Sequence, residues 1–142
     1  MPSMKERKAL IMKLNPDCIR DILFYLEEHL SISPELEFLY IDVHELGENL
    51  NYPLNEIANT VLVLDDAGFI ESTTYSVGDG CIDISISRIT YSGYDFIELI
   101  RPENVWGKVK STGKRLGSFS FDVITQIATS VLSSLVNGQL NL

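Results

Sequence analysis

Two histidines, two cysteines, an aspartate doublet and one basic run are the side chains whose types could do chemistry in this sequence. His29 and His44 stand in no zinc-binding or nucleophile–base spacing. His29 closes an amphipathic segment, where a cation complements the dipole of a helix. Cys18 and Cys81 are too few for a disulfide framework, and their spacing fits no zinc motif. Both lie in apolar runs and are expected as reduced core residues. Asp65-Asp66 would need a third acid at ligand spacing to hold a cation, so the doublet is expected on a solvated helix face. Gly78-Asp79-Gly80 is read as a turn, since no helix or lysine follows to make a phosphate loop. These readings assign no catalytic residue, no metal and no cofactor, and the chain is expected not to be an enzyme.

The charge layout carries more information. The 142 residues have a formal net charge of −9, very unevenly spread. From Leu14 to Ile100, 17 acids face only Arg20 and Arg88. Residues 1–13 hold Lys5, Arg7, Lys8 and Lys13 against Glu6, and residues 101–142 hold Arg101, Lys108, Lys110, Lys114 and Arg115 against Glu103 and Asp122. An acidic body with basic ends results. Apolar residues make up 45% and charged residues 22%, an ordinary globular composition. The start, MPSMKERKAL, lacks the apolar core of a signal peptide, and no run approaches the roughly 20 apolar residues that span a bilayer. The expected location is the cytoplasm.

The elements that must position these residues follow from periodicity. Asn15-Pro16 is a helix start, and Ile19, Ile22, Leu23, Leu26 and Leu30 recur on one face behind it. Ser31 to Pro34 ends that helix, and Phe38 to Ile41 form a short extended patch. Asp42 caps a brief helix with Val43, Leu46 and Leu50. A third helix carries Leu54, Ile57, Ala58, Val61, Leu62 and Leu64 and closes at Gly68. Two strand-like runs, Phe69 to Val77 and Cys81 to Thr90, flank the Gly-Asp-Gly turn. In the second, Ile82, Ile84, Ile86 and Arg88 alternate with Asp83, Ser85 and Ser87. Three helices followed by a hairpin is the order of a winged helix-turn-helix. The expected class is therefore α+β, mostly α: a winged helix-turn-helix over residues 13–101, an N-terminal extension over 1–12, and a helical C-terminal extension over 102–142. Ahead of that extension, Tyr94, Phe96, Ile97 and Ile100 are the apolar positions of a further helix, which leads into a basic helical segment with Val105, Trp106, Val109 and Leu116, whose end Gly113 and Gly117 weaken. The last segment, Ser118 to Asn137, has an apolar stripe of Ile124, Ile127, Ala128, Val131 and Leu135 and an almost uncharged polar side.

Three blocks in order, MKLNPDCIRDILFYLEEHL (Met12 to Leu30), ITYSGYDFIELIRPENVWGKVK (Ile89 to Lys110) and GSFSFDVITQIATSVLSSLV (Gly117 to Val136), resemble the domain of unknown function 2513 family. The resemblance covers most of the chain from Met12 onward, so residues 1–11 are read as an extension or alternative start. It implies a winged-helix protein of Gram-positive bacteria and their prophages, with no activity attached. Tyr94 stands where members of that family often carry His.

Two non-enzymatic classes follow. The first is a protein-interaction module that forms a homodimer through the stripe Ile124, Ile127, Ala128, Val131 and Leu135, and binds an unidentified protein partner. The presumed recognition helix, Leu54 to Gly68, supports it, because Glu56, Asp65 and Asp66 stand there with no basic residue, whereas DNA affinity rests largely on Lys and Arg at phosphates. A variant has the acidic surface mimic DNA and occupy a host DNA-binding protein. The second, less favoured class is a transcriptional regulator gripping DNA through Lys108, Lys110, Lys114 and Arg115. The same basic segment could rest on an anionic membrane surface, a use ranked below both. The plainer alternatives are a solvated linker helix and a C-terminal helix that packs on its own domain.

Overall fold

The computed structural model describes residues 13–140. The N-terminal extension expected over residues 1–12 lies outside them. Eleven elements follow in order: α1 (Pro16–His29), β1 (Ser31–Ile32), β2 (Phe38–Leu39), β3 (Ile41–Asp42), α2 (Val43–Asn49), α3 (Leu54–Asp66), β4 (Ile70–Gly78), β5 (Cys81–Ile89), α4 (Tyr91–Ile100), α5 (Glu103–Leu116) and α6 (Phe121–Leu140). The fold is α+β and mostly helical, with two small sheets among the described residues. The chain divides into two compact units, one ending at Thr90 and one beginning at Tyr91. Helix α4, which the sequence places with the first domain, thus groups with α5 and α6.

In the first unit, the side chain of Asn15 accepts the Asp17 amide at 3.0 Å, satisfying one of the unpaired donors of the first turn, and Pro16 occupies a position that needs no amide hydrogen. The three- and four-residue spacing then buries Cys18, Ile19, Ile22, Leu23 and Leu26. They meet Ile57, Val61 and Leu64 of α3 and the inward residues Ile84 and Ile86 of β5, all fully buried. The three-stranded sheet has the order β3-β5-β4 and is antiparallel throughout. Asp79 and Gly80 close the β4–β5 hairpin with φ of 52° and 75°, the left-handed pair that matches strand twist.

Register corrects two expectations. Glu71 pairs with Arg88 but Ser72 pairs with Ile86, so Ser87 is an extra residue on β5. The bulge shifts alternation by one: Ile89 turns inward and Arg88 outward, against the simple period of two. Cys81 is exposed rather than in the core, because it directly follows the turn at a tip where Val77 and Ile82 are also exposed.

In the second unit, α4, α5 and α6 pack against one another, with Phe96 and Phe121 edge to face at 5.7 Å between ring centres. Val105, Trp106 and Val109 form the buried stripe of α5. Gly113 serves packing rather than weakening the helix: a Cβ there would lie 2.3 Å from the ring of Phe119. Gly117 caps α5, and Ser118 returns its amide to the Gly113 carbonyl at 3.0 Å.

Candidate functional site

Helix α3 and the β4–β5 hairpin form the surface with which a winged helix would meet DNA. On α3, Asn55 and Asp66 are exposed and Glu56 and Asn59 half-buried. Asp65 is not simply solvated. It accepts the Ser72 amide at 3.1 Å and the Ser72 hydroxyl, tying α3 to the start of β4. Between Leu14 and Thr90 the cations are Arg20 and Arg88, set against 15 acids. Both are engaged: Arg20 is buried with its guanidinium 4.5 Å above the Phe24 ring, and Arg88 pairs with Glu71 at 2.8 Å.

The same unit gathers several exposed apolar side chains on the β1–β2 hairpin and the residue after it. The β1–β2 hairpin turns through Ser33 to Glu37, with the Leu36 amide on the Ser33 carbonyl at 2.9 Å and the Ser33 amide on the Glu37 carbonyl at 2.8 Å. Ile32, Leu36, Phe38, Leu39 and Tyr40 all face solvent, Leu36 at 84%. Leu36 also adopts φ of 67°, a left-handed conformation that costs a non-glycine residue energy.

Beside this hairpin in the chain, strand pairing assembles a cluster that spacing does not reveal. Asp42 caps α2 and accepts the His44 amide at 2.7 Å. The β3–β5 register sets Asp42 opposite Ser85 and so brings Asp83 near. Nε2 of His44 lies 3.6 Å from Oδ1 of Asp83, and one donor atom from each of the three residues falls within 4.8 Å of the others. Burial raises the Asp42 pKa and the facing Asp83 carboxyl adds to the rise, while the His44 amide opposes it. Two phenol–carboxylate bonds brace the surrounding helices, Tyr25 to Glu45 at 2.7 Å and Tyr52 to Asp21 at 2.6 Å. The first holds Tyr25 up at about 12; burial, then the bond to Asp21, raises Tyr52.

His29 and Cys18 behave as side chains of the scaffold. His29 sits in the last turn of α1, stacked on Tyr25 at 4.0 Å. Burial pushes the Cys18 thiol up to about 11, which removes the thiolate a nucleophile needs.

In the second unit, Lys108, Lys110, Lys114 and Arg115 are all exposed on α5, on the arc opposite Val105, Trp106 and Val109. The α6 stripe is divided. Ile124 and Ala128 are fully buried and so are not open to a partner, Ile127 and Val131 are half-buried, and Leu135 is exposed. The first half of α6 spends its apolar face on α4 and α5. Beyond it Leu135, Val136 and Leu140 face solvent. Between α5 and α6 lies an open depression of about 320 Å³ lined by Thr112, Gln126, Ile127, Ser130 and Val131.

The family model described as "Hypothetical protein (DUF2513)" matches residues 13–120. The chain belongs to this family. A relative in Haemophilus influenzae, called an uncharacterized protein, is 29% identical over 130 residues, which cover 88% of this chain and 99% of the relative. That relative lies outside the Gram-positive bacteria in which the resemblance placed the family. No solved structure matches the chain. The family match ends at residue 120, before α6, so it takes in the acidic unit and the basic helix but not the divided stripe. No helix among the described residues is long and apolar enough to cross a membrane.

Of the clustered residues, the sequence reading passed over Asp42 as a cap and His44 as a histidine without a motif. The available signal was the pairing of Ile41-Asp42 with the alternating strand around Asp83. Two residues are too short a strand to announce its partner.

Proposed function

We propose that this member of the family is a non-enzymatic winged-helix protein whose acidic first unit binds a protein partner rather than DNA. The order helix, three short strands, helix, helix, strand, strand from α1 to β5, with the short strand β3 beside β5, supports the winged-helix reading. The observation that carries the function is the exposed apolar run Ile32, Leu36, Phe38, Leu39 and Tyr40 on the β1–β2 hairpin. Apolar side chains exposed together on one short hairpin suit contact with a partner, since large exposed apolar patches mark interaction sites. Surrounded by an acidic unit, it suits a partner with an apolar centre and a basic rim. The α3 face has no cation to neutralise phosphate, so it would meet DNA with like charge. Self-association, if it uses α6, falls to Leu135, Val136 and Leu140, since Ile124 and Ala128 are committed inside.

The test has two arms. Full-length protein is titrated with mixed-sequence DNA duplexes at low and near-physiological salt. In parallel, protein captured from a bacterial lysate by the wild type is compared with that captured by a Phe38→Ser, Leu39→Ser double variant. Capture lost in the variant, with no DNA binding near physiological salt, is the expected result. Salt-resistant, sequence-specific DNA binding abolished by Asn55→Ala and Asn59→Ala would overturn it. A second reading, a regulator that grips DNA through α5, is favoured by the exposure of all four of its cations on one arc. It requires salt-sensitive binding that disappears when Lys108, Lys110, Lys114 and Arg115 are changed to glutamate, with a log–log salt slope no steeper than about −4.

A further inference from the structure

The cluster on the β3–β5 pairing does not belong to either surface just described. We propose that Asp42, His44 and Asp83 form a binding site for a divalent transition-metal ion of the zinc class.

Geometry comes first. Two ligands about 2.1 Å from a tetrahedral ion lie roughly 3.4 Å apart. Nε2 of His44 and Oδ1 of Asp83 are 3.6 Å apart, too far for a good direct hydrogen bond and close to the separation of two ligands on one ion. A donor oxygen of Asp42 completes a set in which all three atoms lie within 4.8 Å of one another. The backbone beneath them is held. Asp42 pairs with Ser85 across the sheet, the His44 amide is bound by the Asp42 side chain, and the Ile84 amide binds Oδ1 of Asp83 at 2.8 Å. A site built on strands and a helix start needs little reorganisation to accept an ion.

Chemistry narrows the ion. One imidazole with two carboxylates suits zinc, nickel, cobalt or manganese, whereas calcium and magnesium prefer oxygen alone. Three protein donors leave at least one position for water. Charge points the same way. Two half-buried carboxylates face each other, and the one basic group within the cluster is an imidazole. A dication between them would offset the negative charge that the two carboxylates bring to within 4.8 Å of each other. The ion would also tie the start of α2 to the middle of β5, and so stiffen the first unit without entering its core.

The experiment is calorimetric titration of the full chain with zinc chloride near neutral pH, with magnesium chloride as the control ion. The expected result is saturable binding at one ion per chain that millimolar magnesium does not displace. His44→Ala and Asp83→Asn are each expected to weaken binding by at least about tenfold, and His44→Gln guards against a merely structural effect of the alanine. Cys81→Ser should leave binding unchanged; Cys81 is an exposed free thiol on the same strand and the obvious competing ligand. The proposal is overturned by non-saturating zinc uptake in the wild type, by binding that survives both cluster variants, or by binding that Cys81→Ser abolishes. Because the readout involves no partner and no DNA, failure here leaves the interaction reading standing, and the reverse.

Discussion

The two compact units solve the problem of burying their cores differently, and they differ in charge: the first is strongly acidic, while the second, from Tyr91 onward, sets five cations against four acids. In the first, a sheet of three strands and the helices α1 and α3 enclose a core of aliphatic side chains, and its two cations between Leu14 and Thr90 are both already occupied. In the second, three helices enclose Phe96, Trp106 and Phe121-centred contacts and leave four cations along one exposed arc of α5. Arg20 and Arg88 are spent on internal ties in the first region, whereas the four cations of α5 stand at the surface of the second. Surface chemistry therefore follows from what each unit's packing leaves unused, not from the net charge of −9.

Core substitutions test this division most severely. Leu23→Ala, at a fully buried position of α1, should cost about 2–5 kcal/mol. Gly113→Ala, which forces a methyl into the Phe119 ring, should cost about 1–3 kcal/mol. The single tryptophan, Trp106, is buried in the second unit, so its fluorescence reports that unit directly while circular dichroism reports both. Denaturation followed by both probes should show Gly113→Ala shifting the fluorescence transition most, and Leu23→Ala shifting the dichroism transition most. Coincident shifts in both variants would mean that the units unfold as one.

A smaller effect distinguishes the first unit by its alkaline behaviour. Tyr25 is held at about 12 against an ordinary 10, chiefly by its bond to Glu45. The folded state keeps its proton where the unfolded chain has lost it, so this contribution is intact below pH 10 and is lost as pH rises from 10 towards 12. Tyr25→Phe should flatten that loss of stability in a pH series of melting temperatures. An unchanged alkaline slope would show that the bond does not persist in solution.

The smallest effect concerns the cation that the hairpin withholds. Arg88 and Glu71 are both about half exposed, so Arg88→Ala should cost less than about 1 kcal/mol, and less still at high salt. Glu71→Ala, by releasing Arg88, sharpens the comparison in another way. If the first unit then gains measurable DNA affinity at low salt, the ion pair is what silences that cation.

Much of the scaffold was legible because its signals are local. Asn15-Pro16 starts α1, Asp42 caps α2, and the spacing Ile57, Val61, Leu64 sets the buried face of α3, since capping and helical periodicity act within a few residues. The same holds for the basic arc of α5, where one turn of periodicity relates the cations to Val105 and Val109. Wherever a long-range pairing decides the outcome, the local pattern misleads. Alternation along β5 predicts Arg88 inside, but a single extra residue at Ser87 reverses the face. The stripe on α6 reads as one surface, yet packing consumes Ile124 and Ala128 and leaves Leu135 outside.

By itself, then, the sequence determined the starts of α1 and α2, the hairpin turn and the uneven charge, because each depends on neighbours within a turn or two of the chain. Only tertiary structure decided which apolar residues remain exposed, that Arg20 is buried and Arg88 paired, and that Asp42, His44 and Asp83 meet. Those outcomes depend on strand register and helix docking, where residues some forty positions apart are brought together by contacts that neither segment encodes alone.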